Sequence, residues 1–291
     1  MITHPRIQKS GLAFAGHHHG IVPTRVQIIG ETEFSFLEGL DESTRDQRIA
    51  AFFDLGLSAV VVTRGVAPLK ELVFHAKRTS SPLLTSEVRS SRTIAAIHRC
   101  LDDLLAPSTT SHGVLVDIHG VGVLLQGPSG IGKSECALFL VERGHRLVAD
   151  DQVILAIDPA GHVYGRPPPL LRYHLEVRGI GILNIRDLFG ATAVRRRKIV
   201  DLVVELCPWD SDESYDRLGL EDMSHELLGT ELPMLRIPVS PGRDMGVILE
   251  VAARNHLLKQ SGNHAARRFV SELSEELGAE PPPDNAGGRD D

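Results

Sequence analysis

The run Gly127-Pro128-Ser129-Gly130-Ile131-Gly132-Lys133-Ser134 fits GxxxxGK[ST], and a chain that carries it must set a strand before the loop and a helix after it. The glycines let successive backbone N–H groups curl around an anionic oxygen. The lysine reaches the outer phosphates of a nucleotide, and the final hydroxyl is placed to ligate Mg²⁺. Both flanks comply: Val121 to Gln126 reads as a buried strand, and Ser134 to Arg143 as a helix closed by Gly144. Gly127 to Ser134 are therefore the candidate phosphate-binding residues.

With 291 residues, 42% apolar and 24% charged, the chain has material for two globular cores. Cys100, Cys136 and Cys207 are odd in number, widely spaced and without a CxxC pair, so neither a disulfide framework nor a zinc site is expected. They read as buried thiols. The first residues lack an apolar signal core, and every apolar run falls short of the ~18 residues a membrane helix needs. A cytoplasmic protein with no membrane partner is expected. A net charge of −7 gives no electrostatic footprint for nucleic acid. The basic run Arg195-Arg196-Arg197-Lys198 reads as a solvated loop, and His17-His18-His19 as surface.

The patterning predicts an α/β chain. A smaller N-terminal α/β domain, residues 1–108, alternates β-branched runs at Val26 to Gly30 and Ala59 to Thr63 with helical stretches at Thr44 to Leu55, Leu69 to Thr79 and Thr93 to Leu105. The aperiodic segment Ala106 to Ser111 marks its end. A C-terminal P-loop domain with a mixed sheet follows over 109–278, with strands expected at Gly113 to Ile118, Val121 to Gln126, Arg146 to Ala149, Ile199 to Leu206 and Gly246 to Val251. The tail over 279–291, rich in proline, glycine and aspartate, cannot bury enough apolar surface to order itself.

His119-Gly120 separates two of these strands by the length of a two-residue hairpin loop. Counting outward from Ile118 opposite Val121 places His112 opposite Gly127, beside the phosphate loop. There an imidazole can touch a transferring phosphoryl group or tune a neighbouring acid; a strand-start histidine bonded to water fits the spacing equally well. Arg146 to Ala149 ends in Asp150-Asp151, at the strand end where open α/β sheets place ligands. One aspartate can hold Mg²⁺ or its water while the other accepts the proton of an attacking hydroxyl, and strand alternation lets the two point apart. Glu176-Val-Arg178 before a glycine pair and Arg217 in Tyr215-Asp-Arg-Leu-Gly are further charged clusters.

Taken together, these segments resemble the bacterial HPr kinase/phosphorylase family. The resemblance runs through His112-Gly-Val-Leu-Val-Asp117, the loop with Glu135 after it, Gly144-His-Arg-Leu-Val-Ala-Asp-Asp151, Leu175-Glu-Val-Arg-Gly-Ile-Gly-Ile182, Asp216-Arg-Leu-Gly219 and Pro238-Val-Ser-Pro-Gly-Arg243. It implies a bifunctional enzyme that phosphorylates a serine of HPr, the phosphocarrier of the sugar phosphotransferase system, with ATP. It also implies removal of that phosphate by phosphorolysis, giving pyrophosphate. By position it assigns His112, Lys133, Asp151 and Arg217 to catalysis, with Asp151 the proton acceptor. It assigns Ser134 and Glu176 to Mg²⁺, Pro238 to Arg243 to dephosphorylation, and a homohexameric assembly.

A P-loop kinase of a small molecule is the nearest alternative. A nucleotide-dependent switch is weaker, since Asp187-Leu-Phe-Gly190 matches DxxG but no NKxD is present. Asn263 is expected to cap a last helix with an apolar stripe of Phe269, Val270, Leu273 and Leu277.

Overall fold

The structure, a computed structural model, describes residues 1–210 and 222–277. The chain divides into two compact units, the first Met1–Ala106 and the second beginning at Pro107. The expected tail over 279–291 and the Tyr215 to Gly219 cluster, including Arg217, lie outside the described residues.

In the first unit four short strands, β1 (Gln8–Lys9), β2 (Val26–Ile29), β3 (Ala59–Val62) and β4 (Leu83–Thr85), form a parallel sheet in sequence order. Residues of β2 and β3 are buried throughout because both faces are covered. Ile29, Val60 and Val62 meet α1 (Gly11–Phe14), α2 (Glu31–Glu38), α3 (Glu42–Phe53) and α4 (Lys70–Arg78) in one cluster. Ile28, Ala59 and Val61 meet Leu101 of α5 (Ser90–Leu105) in another. The Asp41 carboxylate caps α3 by accepting from Thr44 N–H at 3.0 Å.

The second unit has two larger sheets. β6 (Val114–Ile118), β7 (Val121–Gln126), β8 (Arg146–Ala149), β14 (Leu202–Pro208), β15 (Met223–Leu227) and β16 (Thr230–Val239) form a mixed sheet in the order β15-β16-β14-β7-β6-β8. β5 (Ser108–His112), β9 (Gln152–Ile157), β10 (Val163–Arg166) and β13 (Lys198–Ile199) form an antiparallel sheet in the order β13-β10-β9-β5. The period-two rule assigns the mixed sheet's two faces. Val114, Val116, Val123, Leu125, Val204 and Leu206 point to a core shared with α6 (Lys133–Glu142) and α8 (Met245–Gln260). Leu115, Leu124 and Val203 point to a second core with Val153, Leu155 and Val163. A small hairpin, β11 (His174–Val177) with β12 (Gly181–Asn184), leads into α7 (Ile185–Phe189), and α9 (Ala265–Leu277) ends the described chain.

Four expectations need correction. Gly246 to Val251 lies inside α8 and not in a strand. Its β-branched run is overridden by helical periodicity, with Met245, Gly246, Leu249, Glu250, Ala253 and His256 buried and the Asp244 carboxylate accepting from Val247 N–H at 3.1 Å. The segment Ala106 to Ser111 is not all loop, because Ser108 already begins β5 and pairs with Ala156. Ile199 to Leu206 is interrupted at Asp201, whose carboxylate accepts from Gly122 N–H at 2.6 Å and Lys198 Nζ at 3.0 Å. The basic run is tied down: Arg195 pairs with buried Asp117 at 2.7 Å, Arg197 lies over the Tyr164 ring, and Lys198 holds Asp201. In addition, α9 begins at Ala265, two residues after Asn263. Phe269, Leu273 and Leu277 on it are exposed.

Candidate active site

The phosphate loop joins β7 to α6. Gly132 takes a left-handed φ of 102° as the helix N-cap, a conformation open to glycine, and Lys133 opens the helix. The N–H groups of the first turn point into the loop, where the helix dipole favours an anion. Gly127 is required by close approach: a Cβ there would lie 2.3 Å from the Leu206 carbonyl oxygen of β14. The Lys133 ammonium donates to the Gly127 and Pro128 carbonyls at 2.8 and 2.9 Å, so it sits across the mouth of its own loop. Ile131 packs its side chain on the core and offers the site only its backbone.

Around this loop is a cleft of about 480 Å³ lined by, among others, His112, Lys133, Ser134, Asp150, Asp151 and Glu176. Gly127, Ser129, Gly130 and Gly132 line it as well, whereas Pro128 and Ile131 do not. The β6–β7 register runs from Ile118 opposite Val121 to Val114 opposite Leu125, the count made from the hairpin. The chain then crosses to the other sheet, where His112 pairs with Gln152 of β9. That crossing brings the His112 imidazole to 3.8 Å from the Asp151 carboxylate, longer than a hydrogen bond.

The two aspartates diverge, though not by strand alternation: β8 ends at Ala149, and both acids lie in the bend that follows it. Asp150 is buried; its Oδ1 accepts from the Ser134 hydroxyl at 2.8 Å and its Oδ2 from Glu176 N–H at 2.9 Å. Burial raises its pKa above the ordinary carboxylate value, partly offset by those two hydrogen bonds. Asp151 has a left-handed φ of 62°, and its carbonyl accepts from Gly113 N–H at 3.1 Å. Its side chain turns outward, 63% exposed. One acid thus faces the start of α6 and the other faces the open cleft.

On β11, Leu175 and Val177 enter the core while Glu176 alternates outward to the cleft. Arg178 follows the last residue of the strand, and its guanidinium donates to Ser129 Oγ at 3.3 Å and lies within 2.7 Å of where a Gly130 Cβ would stand. Sequence spacing marked Arg178 only as half of a weak charged pair. Its reach over the phosphate loop depends on a contact across 49 residues that no local pattern carries. Asp150, Ser134 and Glu176 all line the cleft and carry side-chain oxygens of the kind Mg²⁺ takes, with Glu176 tied to Asp150 through its backbone N–H. At the end of β16 the Arg243 guanidinium donates to the Pro238 carbonyl at 2.7 Å and closes the Pro238 to Arg243 turn.

A strand, a glycine loop, a helix and a following strand ending in carboxylates define a P-loop nucleotide-binding unit. A family model described as HPr Serine kinase C-terminal domain matches residues 103–273, and one described as HPr Serine kinase N terminus matches residues 1–101. The chain belongs to the HPr serine kinase family. It is 47% identical over 268 residues to the HPr kinase/phosphorylase of Geobacter sulfurreducens, covering 92% of this chain and 84% of that protein. It is 43% identical over 277 residues to the HPr kinase/phosphorylase of Caldanaerobacter subterraneus subsp. tengcongensis, covering 95% and 91%. Among solved structures it is similar to the Hpr(Ser) kinase/phosphatase from Coxiella burnetii, with a TM-score of 0.51 and 31% identity over 59% of this chain and 99% of that one. No helix among the described residues is long and apolar enough to cross a membrane.

Proposed function

We propose that this chain phosphorylates a serine of HPr with Mg·ATP and removes that phosphate by phosphorolysis, working in the cytoplasm as a homohexamer. The observation that carries the catalytic reading is the single cleft shared by Lys133, His112, Asp151 and the Asp150–Ser134–Glu176 cluster. Ser134, Asp150 and Glu176 would hold Mg²⁺, which supplies charge compensation at the phosphates when bound.

In the forward direction the loop N–H groups and Lys133 hold the phosphates, Lys133 exchanging its carbonyl partners for phosphate oxygens. The serine oxygen bonds to the γ-phosphorus as the bond to the ADP oxygen breaks, and the hydroxyl proton passes to the Asp151 carboxylate. His112 stands beside Asp151 to orient it, and Arg178 adds positive charge around the transferring group; Arg217, outside the described residues, is assigned the same task by the family motif alone. In reverse, inorganic phosphate occupies the loop and attacks the seryl phosphate, forming pyrophosphate, while protonated Asp151 returns its proton to the departing serine oxygen.

The test is to mix the pure protein with Mg·ATP and HPr, map the modified residue by mass spectrometry, then add orthophosphate. Phosphoserine on HPr followed by its loss with pyrophosphate release is expected. Turnover of ATP onto small metabolites with HPr untouched would refute the reading.

A further inference from the structure

The β6–β7 hairpin tip, the end of α6 and the middle of α8 bring His119, His145 and Glu250 together, with their ligand atoms all within 4.8 Å of one another. His145 and Glu250 are each only 6% exposed, and His145 Nε2 lies 2.8 Å from Glu250 Oε1. The His119 ring meets the His145 ring edge to face at a centroid distance of 4.6 Å. Because α6 is ten residues long, this cluster lies about 15 Å from the phosphate loop, at the opposite end of that helix. None of the three residues lines the nucleotide cleft.

The geometry points to a binding site for a divalent transition metal of the zinc type, formed by His119, His145 and Glu250. Two imidazole nitrogens and one carboxylate oxygen suit such an ion and not Mg²⁺, which takes oxygen ligands, and a water would complete a tetrahedron. Metal–ligand bonds of about 2.1 Å place tetrahedral ligand atoms about 3.4 Å apart. His145 and Glu250 are close to that spacing already. His119 is the member that has to close in, and it is free to do so: it sits exposed in a left-handed turn conformation, φ 53°, beside Gly120. Desolvation and the neighbouring His145 also keep its imidazole neutral to lower pH than usual, with Arg254 acting in the same direction.

Arg143 is the competitor and the support. Its Nε shares Glu250 Oε1 with His145, and its Nη2 holds Oε2, both at 2.8 Å. Metal binding takes Oε1 and leaves Arg143 on Oε2 as an outer-shell orienter. On the imidazole, the metal replaces the Nε2 proton shared with Glu250, which passes to Nδ1 or to solvent. Affinity therefore falls once the pH is low enough for protons to compete for the imidazole nitrogens.

The experiment uses the full chain, stripped with chelator and dialysed, in a His17→Asn, His19→Asn background that removes the exposed N-terminal imidazoles. Titration with Zn²⁺ by calorimetry, and with Co²⁺ by visible absorption, is expected to show one tight equivalent, intense tetrahedral cobalt bands and a raised unfolding temperature, undiminished by excess Mg²⁺. Adding His119→Asn, a surface change that leaves the buried His145–Glu250 pair in place, should raise the dissociation constant at least 10- to 100-fold, roughly the loss that removal of an outer-shell partner alone brings. Equal stoichiometry and affinity with and without His119, no tight equivalent at all, or competition by Mg²⁺ would each overturn the site.

Discussion

Asp151 combines a left-handed backbone, an outward carboxylate and a histidine neighbour within 3.8 Å. Aspartate and asparagine tolerate that backbone region better than most residues, so Asp151→Asn removes the proposed base without disturbing the turn. Transfer to serine should fall by about 10²- to 10⁴-fold, the usual worth of a general base, while binding of a fluorescent ATP analogue stays near wild type. Comparing phosphotransfer rate with nucleotide titration checks this; equal losses in both would remove Asp151 from the role of base. Much of this was legible in the sequence. The motif placed the glycine loop between its strand and helix; hairpin counting held only as far as Val114, since His112 pairs with Gln152 of β9 and does not face Gly127, although both line the cleft; and the two aspartates point apart through a bend after β8, not through strand alternation. The Asp150 carboxylate bridging Ser134 and Glu176 was not legible, because it joins residues 16 and 26 positions away through folded geometry.

Among the elements, α6 carries the clearest consequences. A methyl group at Gly127 would meet the Leu206 carbonyl, a backbone atom that cannot swing aside. Gly127→Ala should therefore displace the loop, costing about 1–3 kcal/mol in urea unfolding and weakening nucleotide binding more than stability. In the first turn of α6, burial pushes the Cys136 thiol up to about 11, whereas Cys100 is exposed. Native protein treated with a chromogenic disulfide near pH 8 should thus react quickly at Cys100 and release Cys136 only on unfolding. Elements with strong period-two or motif signals, β6, β7 and β8, were readable to within a residue. The antiparallel sheet of β5, β9, β10 and β13 was not, because β5 is polar and aperiodic in sequence and is joined to β9 only by the folded pairing of Ser108 with Ala156. The run at Gly246 was misread because β-branched composition outweighed a burial period visible only once α8 packs on α6.

At the scale of the whole molecule, each unit encloses cores of its own. Residues 107–291 expressed alone should fold cooperatively and bind an ATP analogue, as circular dichroism and titration would show; an unfolded product would mean that the first unit is needed for the second. Acid should act on the second unit through Glu250, held down to about 2, chiefly by its bonds to Arg143. A lowered carboxylate pKa contributes stability that is full above its ordinary value of 4.5 and is lost as pH falls toward about 2. Metal-free wild type should lose unfolding free energy across that interval, and Glu250→Gln should show a flatter profile from a lower plateau. The Asp150 bridge has a mechanical corollary. Since one carboxylate grips both the hydroxyl at the root of α6 and the main chain of β11, a displacement at either end is passed to the other, and with it to Glu176 on that strand.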